Sequence, residues 1–264
     1  WRNLTIMGNA VISASQFDFD KDGTPDTRFD SDNPAVPNPS VPNGTASAIM
    51  EGLDTGDGTL VEISYGGADD NDDSGSLSYV SSRYTGRVIG AGDELNGYSF
   101  GALGRETDIS HIEVMNNVDD GIEIWGGTVN LKYVNVWNIG DDSFDVDQGW
   151  RGKAQFGLVV QGYGSSSAPS QGSGAGDNII EIDGAEQSDV QPRTTAAIYN
   201  FSLFGMTNGD GALTYRDNAR IQYGNMLIVD IGEELIRLDN VDGDGGQGYG
   251  FGGTHSFGDT WITD

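Results

Sequence analysis

The residues best placed to do chemistry form the run Asp18-Phe-Asp20-Lys-Asp22-Gly23-Thr-Pro-Asp26, with Asp30 and Asp32 just beyond it. Carboxylates at positions 1, 3 and 5, with a glycine at 6 for the sharp turn, supply the oxygens that a hard cation such as calcium takes. Asp26 extends the pattern to DxDxDGxxD, and no glutamate stands at position 12, so the loop departs from an EF-hand. The alternative is an acidic loop that holds no metal.

A second set of acids recurs. Five heptads read DDGIEIW from Asp119, DDSFDVD from Asp141, DNIIEID from Asp177, DGALTYR from Asp210 and EELIRLD from Glu233. In each, the fourth and sixth residues are apolar and face inward, which turns the fifth and seventh outward. Stacking the copies aligns Glu123, Asp145, Glu181, Thr214 and Arg237 in one row and Trp125, Asp147, Asp183, Arg216 and Asp239 in the next. A corner row stacks Asp119, Asp141, Asp177 and Asp210. Carboxylates about 4.8 Å apart repel, so either a cation bridges them or their pKa values rise. Asp119, Asp141, Asp142 and Asp147 are the metal candidates here. Turn chemistry is the competing account, because Asp and Asn bond to their own backbone in turns.

Only 13 basic residues stand against 41 acidic ones, so Arg151 and Lys153, which follow Asp145 and Asp147 in DVDQGWRGKAQF, attract notice. A neutralised carboxylate with Lys as base and Arg beside it could abstract a proton next to a uronate carboxyl, with Arg151, Lys153 and Asp145 as the catalytic candidates. Alternatively both bases pair with nearby acids. Trp125 and Trp150 are candidate platforms for sugar rings, and equally candidate wall-stabilising aromatics. The two histidines, His111 and His255, lie too far apart in the chain to suggest a His-based triad or metal site.

The elements that must position these residues follow from spacing. The heptad starts are separated by 22, 36, 33 and 23 residues, a unit of about 22 with two insertions. About ten residues before each copy lies a second alternating run: HIEVMN, YVNVWN, FGLVVQ, NFSLFG and NMLIVD. Two strands per turn make a coil, and the reading is an all-β, right-handed parallel β-helix. One domain spans 1–264, with an acidic, proline-containing insertion at 16–50 and smaller ones at 162–176 and 185–194. The smaller two are expected to leave the coil at the same corner. Strands at 48–104 look irregular, and the repeat looks clean from Asp108 onward.

The net charge of −28 disfavours nucleic acid and polyanionic glycans as partners and favours cations. Zero cysteines exclude disulfides and thiolate metal sites. No stretch approaches the roughly 18 apolar residues of a membrane span, and no signal peptide is present, so the chain reads as a mature or trimmed fragment. The sequons at Asn3, Asn43 and Asn200 carry no weight.

Two resemblances add to this. The segment Asp18–Asp26 resembles the calcium loops of dockerins and thrombospondin type 3 repeats. The stretch from about Ser74 to Arg193, notably DDGIEIWGGTVN and GDDSFDVDQGWRGK, resembles secreted or outer-membrane right-handed β-helix proteins of marine and environmental bacteria. That resemblance implies fold and export to the extracellular side or outer-membrane surface of a bacterium, and transfers no catalytic residue. The expected function is a non-catalytic, calcium-stabilised module for adhesion, matrix or filament assembly, its partners calcium, a glycan, or copies of itself or neighbouring surface domains. The alternative is a calcium-dependent polysaccharide lyase or glycoside hydrolase.

Overall fold

The computed structural model describes residues 3–13, 47–53, 63–90, 93–162, 176–184, 192–207, 209–216 and 219–238. The acidic loop with Asp18, Asp20, Asp22 and Asp26, most of both smaller insertions, and His255 lie outside the described residues. In chain order the strands are Leu4–Met7 (β1), Ala48–Ile49 (β2), Ser64–Tyr65 (β3), Ser76–Arg83 (β4), Arg87–Gly90 (β5), Asp93–Leu95 (β6), Tyr98–Gly101 (β7), Asp108–Met115 (β8), Ile122–Trp125 (β9), Asn130–Trp137 (β10), Phe144–Asp147 (β11), Lys153–Val160 (β12), Ile180–Ile182 (β13), Ala197–Phe204 (β14), Leu213–Tyr215 (β15), Gln222–Gly224 (β16), Leu227–Val229 (β17) and Ile236–Leu238 (β18).

Alternation decides which runs pair. The heptads form one all-parallel sheet in the order β1-β7-β9-β11-β13-β15-β18, and the upstream runs form another, β4-β8-β10-β12-β14, with β16 and β17 both paired to β14. Parallel strands joined one turn apart make a right-handed parallel β-helix. The coil is regular well before Asp108: β4 pairs β8 over its whole length, and β7 and β1 extend the heptad face two rungs further. Local pattern hid this because Ser82 occupies the core row of Val114, Val136, Val159 and Leu203. The Ser82 hydroxyl is buried against Thr85 at 3.1 Å, so a polar residue passes as an inward one.

Each turn has three straight segments, where the spacing suggested two. Tyr79, His111, Tyr133, Phe156, Asn200 and Asn225 have φ between 51° and 64°, and the ladder pairing skips each of them. Each upstream run is therefore two short strands meeting at a left-handed bend. For an L-residue that bend costs roughly 1–2 kcal/mol. Like-on-like stacking on the outside offsets it: Tyr79 on His111 and His111 on Tyr133 at 4.4 Å between centroids, then Tyr133 on Phe156 at 5.3 Å. The ladder continues as amides, with Asn225 Nδ2 donating to Asn200 Oδ1 at 2.5 Å.

Inside, one apolar column runs from Tyr98 to Ile221. A smaller cluster forms outside the coil, where Trp125 and Ala102 meet Ala10, Ile12, Met50 and Tyr65. The fifth and seventh heptad residues point outward from the coil, as expected, but outward does not mean exposed. They do leave the inner core, but Glu123, Trp125, Asp147, Glu181 and Asp183 are all buried, since chain returning from elsewhere lies across several of them. Of the smaller insertions, 163–175 and 185–191 lie outside the described residues; the described chain breaks off two residues after β12 and again two residues after β13.

Gly157 shows how tightly rungs are matched. It occupies the row of Ile112, Val134 and Phe201, and a Cβ there would stand 2.3 Å from the Phe201 ring. The Phe201 ring fills space that a larger residue at 157 would claim. Gly157→Ala should cost roughly 1–3 kcal/mol in denaturant unfolding. Phe201→Leu should be less harmful in the Gly157→Ala background than alone; strict additivity of the two changes would refute this contact.

Candidate cation sites on the heptad face

The heptad register places Ser99, Glu123, Asp145, Glu181, Thr214 and Arg237 on successive rungs of one row. At the corner that leads into these strands, the paired acids Asp119-Asp120 and Asp141-Asp142 come round one rung apart. Three groups of carboxylates result, each with ligand oxygens within 4.8 Å of one another: Asp119, Asp120 and Asp141; Asp120, Glu123 and Asp145; Asp141, Asp142 and Asp177. A fourth, Asp210 with Glu233 and Glu234, lies at the C-terminal rungs. Clusters of acidic residues on this face could thus hold metal ions.

Donors reach several of these acids. Asp120 Oδ1 accepts from the Asp142 N–H at 3.0 Å, Asp145 Oδ1 from the Val146 N–H at 2.6 Å, and Glu123 from the Asn96 amide. Asp142 Oδ1 is buried without a hydrogen-bond partner. Desolvation pushes the carboxyls of Asp120, Glu123, Asp142 and Asp145 well above the ordinary range, and neighbouring carboxylates push them further. Asp177 is raised to about 7, by desolvation first and then by Asp210. Such a cluster holds either protons or a cation at neutral pH.

The row changes sign along its length. Arg216 donates to Glu181 at 2.6 Å and lies 3.5 Å from Asp183, and exposed Arg237 closes the row beyond Thr214. Of the metal candidates from sequence, Asp119, Asp141 and Asp142 belong to these groups. Asp147 is buried further along β11 and belongs to none of the groups found among the described residues. Sequence reasoning passed over Asp120, whose neighbour Asp119 carried the corner row; the doubled acid in DDGIEIW was the available signal. Asn96 and Glu51 gave no signal, since they come from outside the repeat.

The residues proposed for catalysis are held in different places. Arg151 donates to both Asp70 oxygens, at 2.6 and 2.8 Å, to the Val11 carbonyl at 2.8 Å and to the Gly149 carbonyl at 3.1 Å. It clamps two returning segments to the coil. Lys153 is exposed at the start of β12 in the other sheet, level with Asn130 and Ala197, while Asp145 sits in the acidic row. Both tryptophans are buried. Trp150 is fully buried, its Nε1 donating to Val129 O at 3.0 Å, and Trp125 packs beside Tyr65 in the outer cluster.

The clamp has a pH signature. Desolvation alone would raise Asp70, but the Arg151 guanidinium wins and holds its carboxyl below the ordinary 3.8. A carboxyl depressed in the folded state stabilises above its unfolded value and loses that contribution as pH falls through the folded value. Arg151→Met should lower stability by about 1–3 kcal/mol at pH 7. The gap to the unsubstituted protein should narrow steadily in melts taken below the ordinary carboxyl value; a gap constant with pH would show that packing, not the ion pair, carries the clamp.

A family described as a pectate-lyase-like β-helix domain matches residues 43–250. No curated protein and no solved structure matches the chain. Such a domain is compatible with a polysaccharide-related function. With most of its length matched, the coil described above belongs to the pectate-lyase-like β-helix family.

Proposed function

We propose that the protein is a non-catalytic extracellular module of a bacterial surface, stiffened by calcium along its acidic face and serving adhesion, matrix or filament assembly, with glycan contact. The observation that carries this reading is the crowding of carboxylate oxygens within 4.8 Å of one another in groups that span consecutive rungs. An all-oxygen set of flexible geometry, assembled from carboxylates alone, suits calcium better than a metal that wants nitrogen or sulfur. Cation binding between rungs would turn the main repulsion in the coil into a tie. The use of Arg151 as a clamp supports the non-catalytic reading, because a group engaged by Asp70 and two carbonyls is not available to a substrate.

Family membership favours a second reading, a polysaccharide lyase or glycoside hydrolase on the same coil. The two readings part in one pair of assays. Thermal unfolding with EGTA, followed by titration with calcium and with magnesium, should show calcium at a hundredfold excess over its Kd contributing about 2.7 kcal/mol. For a chain of this size that is a rise of roughly 5–11 °C in Tm. Magnesium should not substitute. An unchanged Tm would overturn the calcium reading, and release of unsaturated or reducing sugar ends from polyuronates or neutral glycans would replace the non-catalytic one.

A further inference from the structure

Among the described residues the coil ends in open strand edges. β1 and β4 are paired on one side only, and so are β16, β17 and β18. Leu77 and Val80 of β4 are half-buried, whereas Ile109 and Ile112, one rung further in, are 2% and 1% exposed. Leu4 and Ile6 of β1 stand in the same relation to fully buried Tyr98 and Phe100. Tyr79, at the end of the aromatic ladder, is 80% exposed where Tyr133 within it is 42%. At the far end Tyr223, Ile228, Ile236 and Leu238 are half-buried. The ends are also staggered: β1 gives the heptad sheet a rung with no described upstream strand beside it, so β4 borders a slot one strand wide.

One stretch of the sequence carries the pattern of the missing strand. Residues 254–262, THSFGDTWI, lie outside the described residues and follow β18 after 239–253, a connection about as long as the 183–196 that joins β13 to β14. Set against SLSYVSSRY of β4 and its next residue, the stretch puts Ser256 on Ser78, Phe257 on Tyr79, Thr260 on Ser82 and Trp261 on Arg83. Ring meets ring at the bend, hydroxyl meets hydroxyl in the inward row, and an indole meets a guanidinium. Gly258 follows the bend aromatic as Gly157 follows Phe156. His255, in the row of Leu77, is the mismatch. Against β16 and β17 the same register sets Phe257 on Asn225 and Thr260 on Ile228, so the stretch matches β4 better.

We propose that residues 254–262 of one copy fill the slot beside β4 of a second copy, parallel and in register, so that copies join head to tail. The stagger then closes. The donated strand lies between β16–β17 of its own copy and β4 of the next, and β1 of the next copy lies on β18. Leu4 and Ile236 are opposite ends of one row, as are Ile6 and Leu238, so apolar meets apolar across the junction. Such a contact is heterologous and propagates as an open filament. The proposal rests on the filament-assembly reading above and names its partner, a second copy, and the segment exchanged. A net charge of −28 sets copies against one another, and salt screens that repulsion.

Cysteine pairs test the junction, since the chain has no cysteine of its own. Full-length copies carrying Ser78→Cys are mixed with copies carrying Ser256→Cys and oxidised; in-register neighbours about 4.8 Å apart lie within disulfide reach. Mixed dimers should exceed those from an off-register mix, Ser76→Cys with Asp259→Cys, by about tenfold or more, because docked copies react as one molecule. Ser81→Cys with Asp259→Cys is a second in-register pair should the first fold poorly. In sedimentation, mass should grow with protein concentration and with added salt, and Thr260→Pro, which takes an N–H from the donated strand, should abolish the growth. Equal yields from in-register and off-register mixes overturn the proposal. So does a monomer at every concentration, or a disulfide that forms within one chain carrying both cysteines and never between chains; either result assigns the open edges another cover. The calcium response and sugar release judge the surface-module reading separately. Sugar release by copies that still link in register overturns the non-catalytic reading and leaves the junction in place.

Discussion

Everything in this molecule depends on parallel, in-register stacking, which sets each side chain about 4.8 Å from the residue in the same position one turn away. Like sits on like. For Ile122, Phe144, Ile180 and Leu213 that is a continuous core. For Tyr79, His111, Tyr133 and Phe156 it is an outer aromatic stack that holds a left-handed bend no single L-residue would favour. For Asn200 and Asn225 it is an amide ladder. For Asp, stacked on Asp, the same geometry is a penalty, and the acidic rows are where the coil needs help from a proton, an arginine or a cation.

The molecule answers that penalty differently at its two ends. Toward the C-terminal rungs Arg216 stands beside Glu181 and Asp183, and Arg237 replaces a carboxylate in the row. Toward the N-terminal rungs no such cation is contributed by the row itself, and the strap of residues 47–53 and the β5–β6 hairpin fold over Glu123. Basic residues elsewhere are spent on architecture: Arg151 joins Asp70 and Val11, far apart in the chain, to the corner beside Gly149. Among the described residues Arg83, Arg151 and Arg216 each hold a carboxylate, at 2.5, 2.6 and 2.6 Å.

This division bears on function. The first rungs of this face are covered by Met50 and Tyr65, while its later rungs present exposed Arg237 and half-exposed Arg216 beside carboxylates. The pectate-lyase-like family match covers the coil, and the strap at 47–53, Arg151 with Asp70, and the acidic rows all lie within the matched residues.

Read alone, the sequence determined the coil and the rows. Alternation in the heptads and a 22-residue recurrence are short-range signals, and they suffice to place Glu123, Asp145 and Glu181 one above another. Ser82 concealed an earlier rung, and the single-residue bends at His111 and Tyr133 were invisible because alternation continues across them with only a change in φ. The outward direction of Trp125 and Glu123 was legible; their burial was not. Burial there comes from Met50, Tyr65, Glu51 and Asn96, brought back by pairings between distant segments that leave no periodic trace. Periodicity reports which way a side chain leaves its strand, and only the tertiary structure decides what it meets.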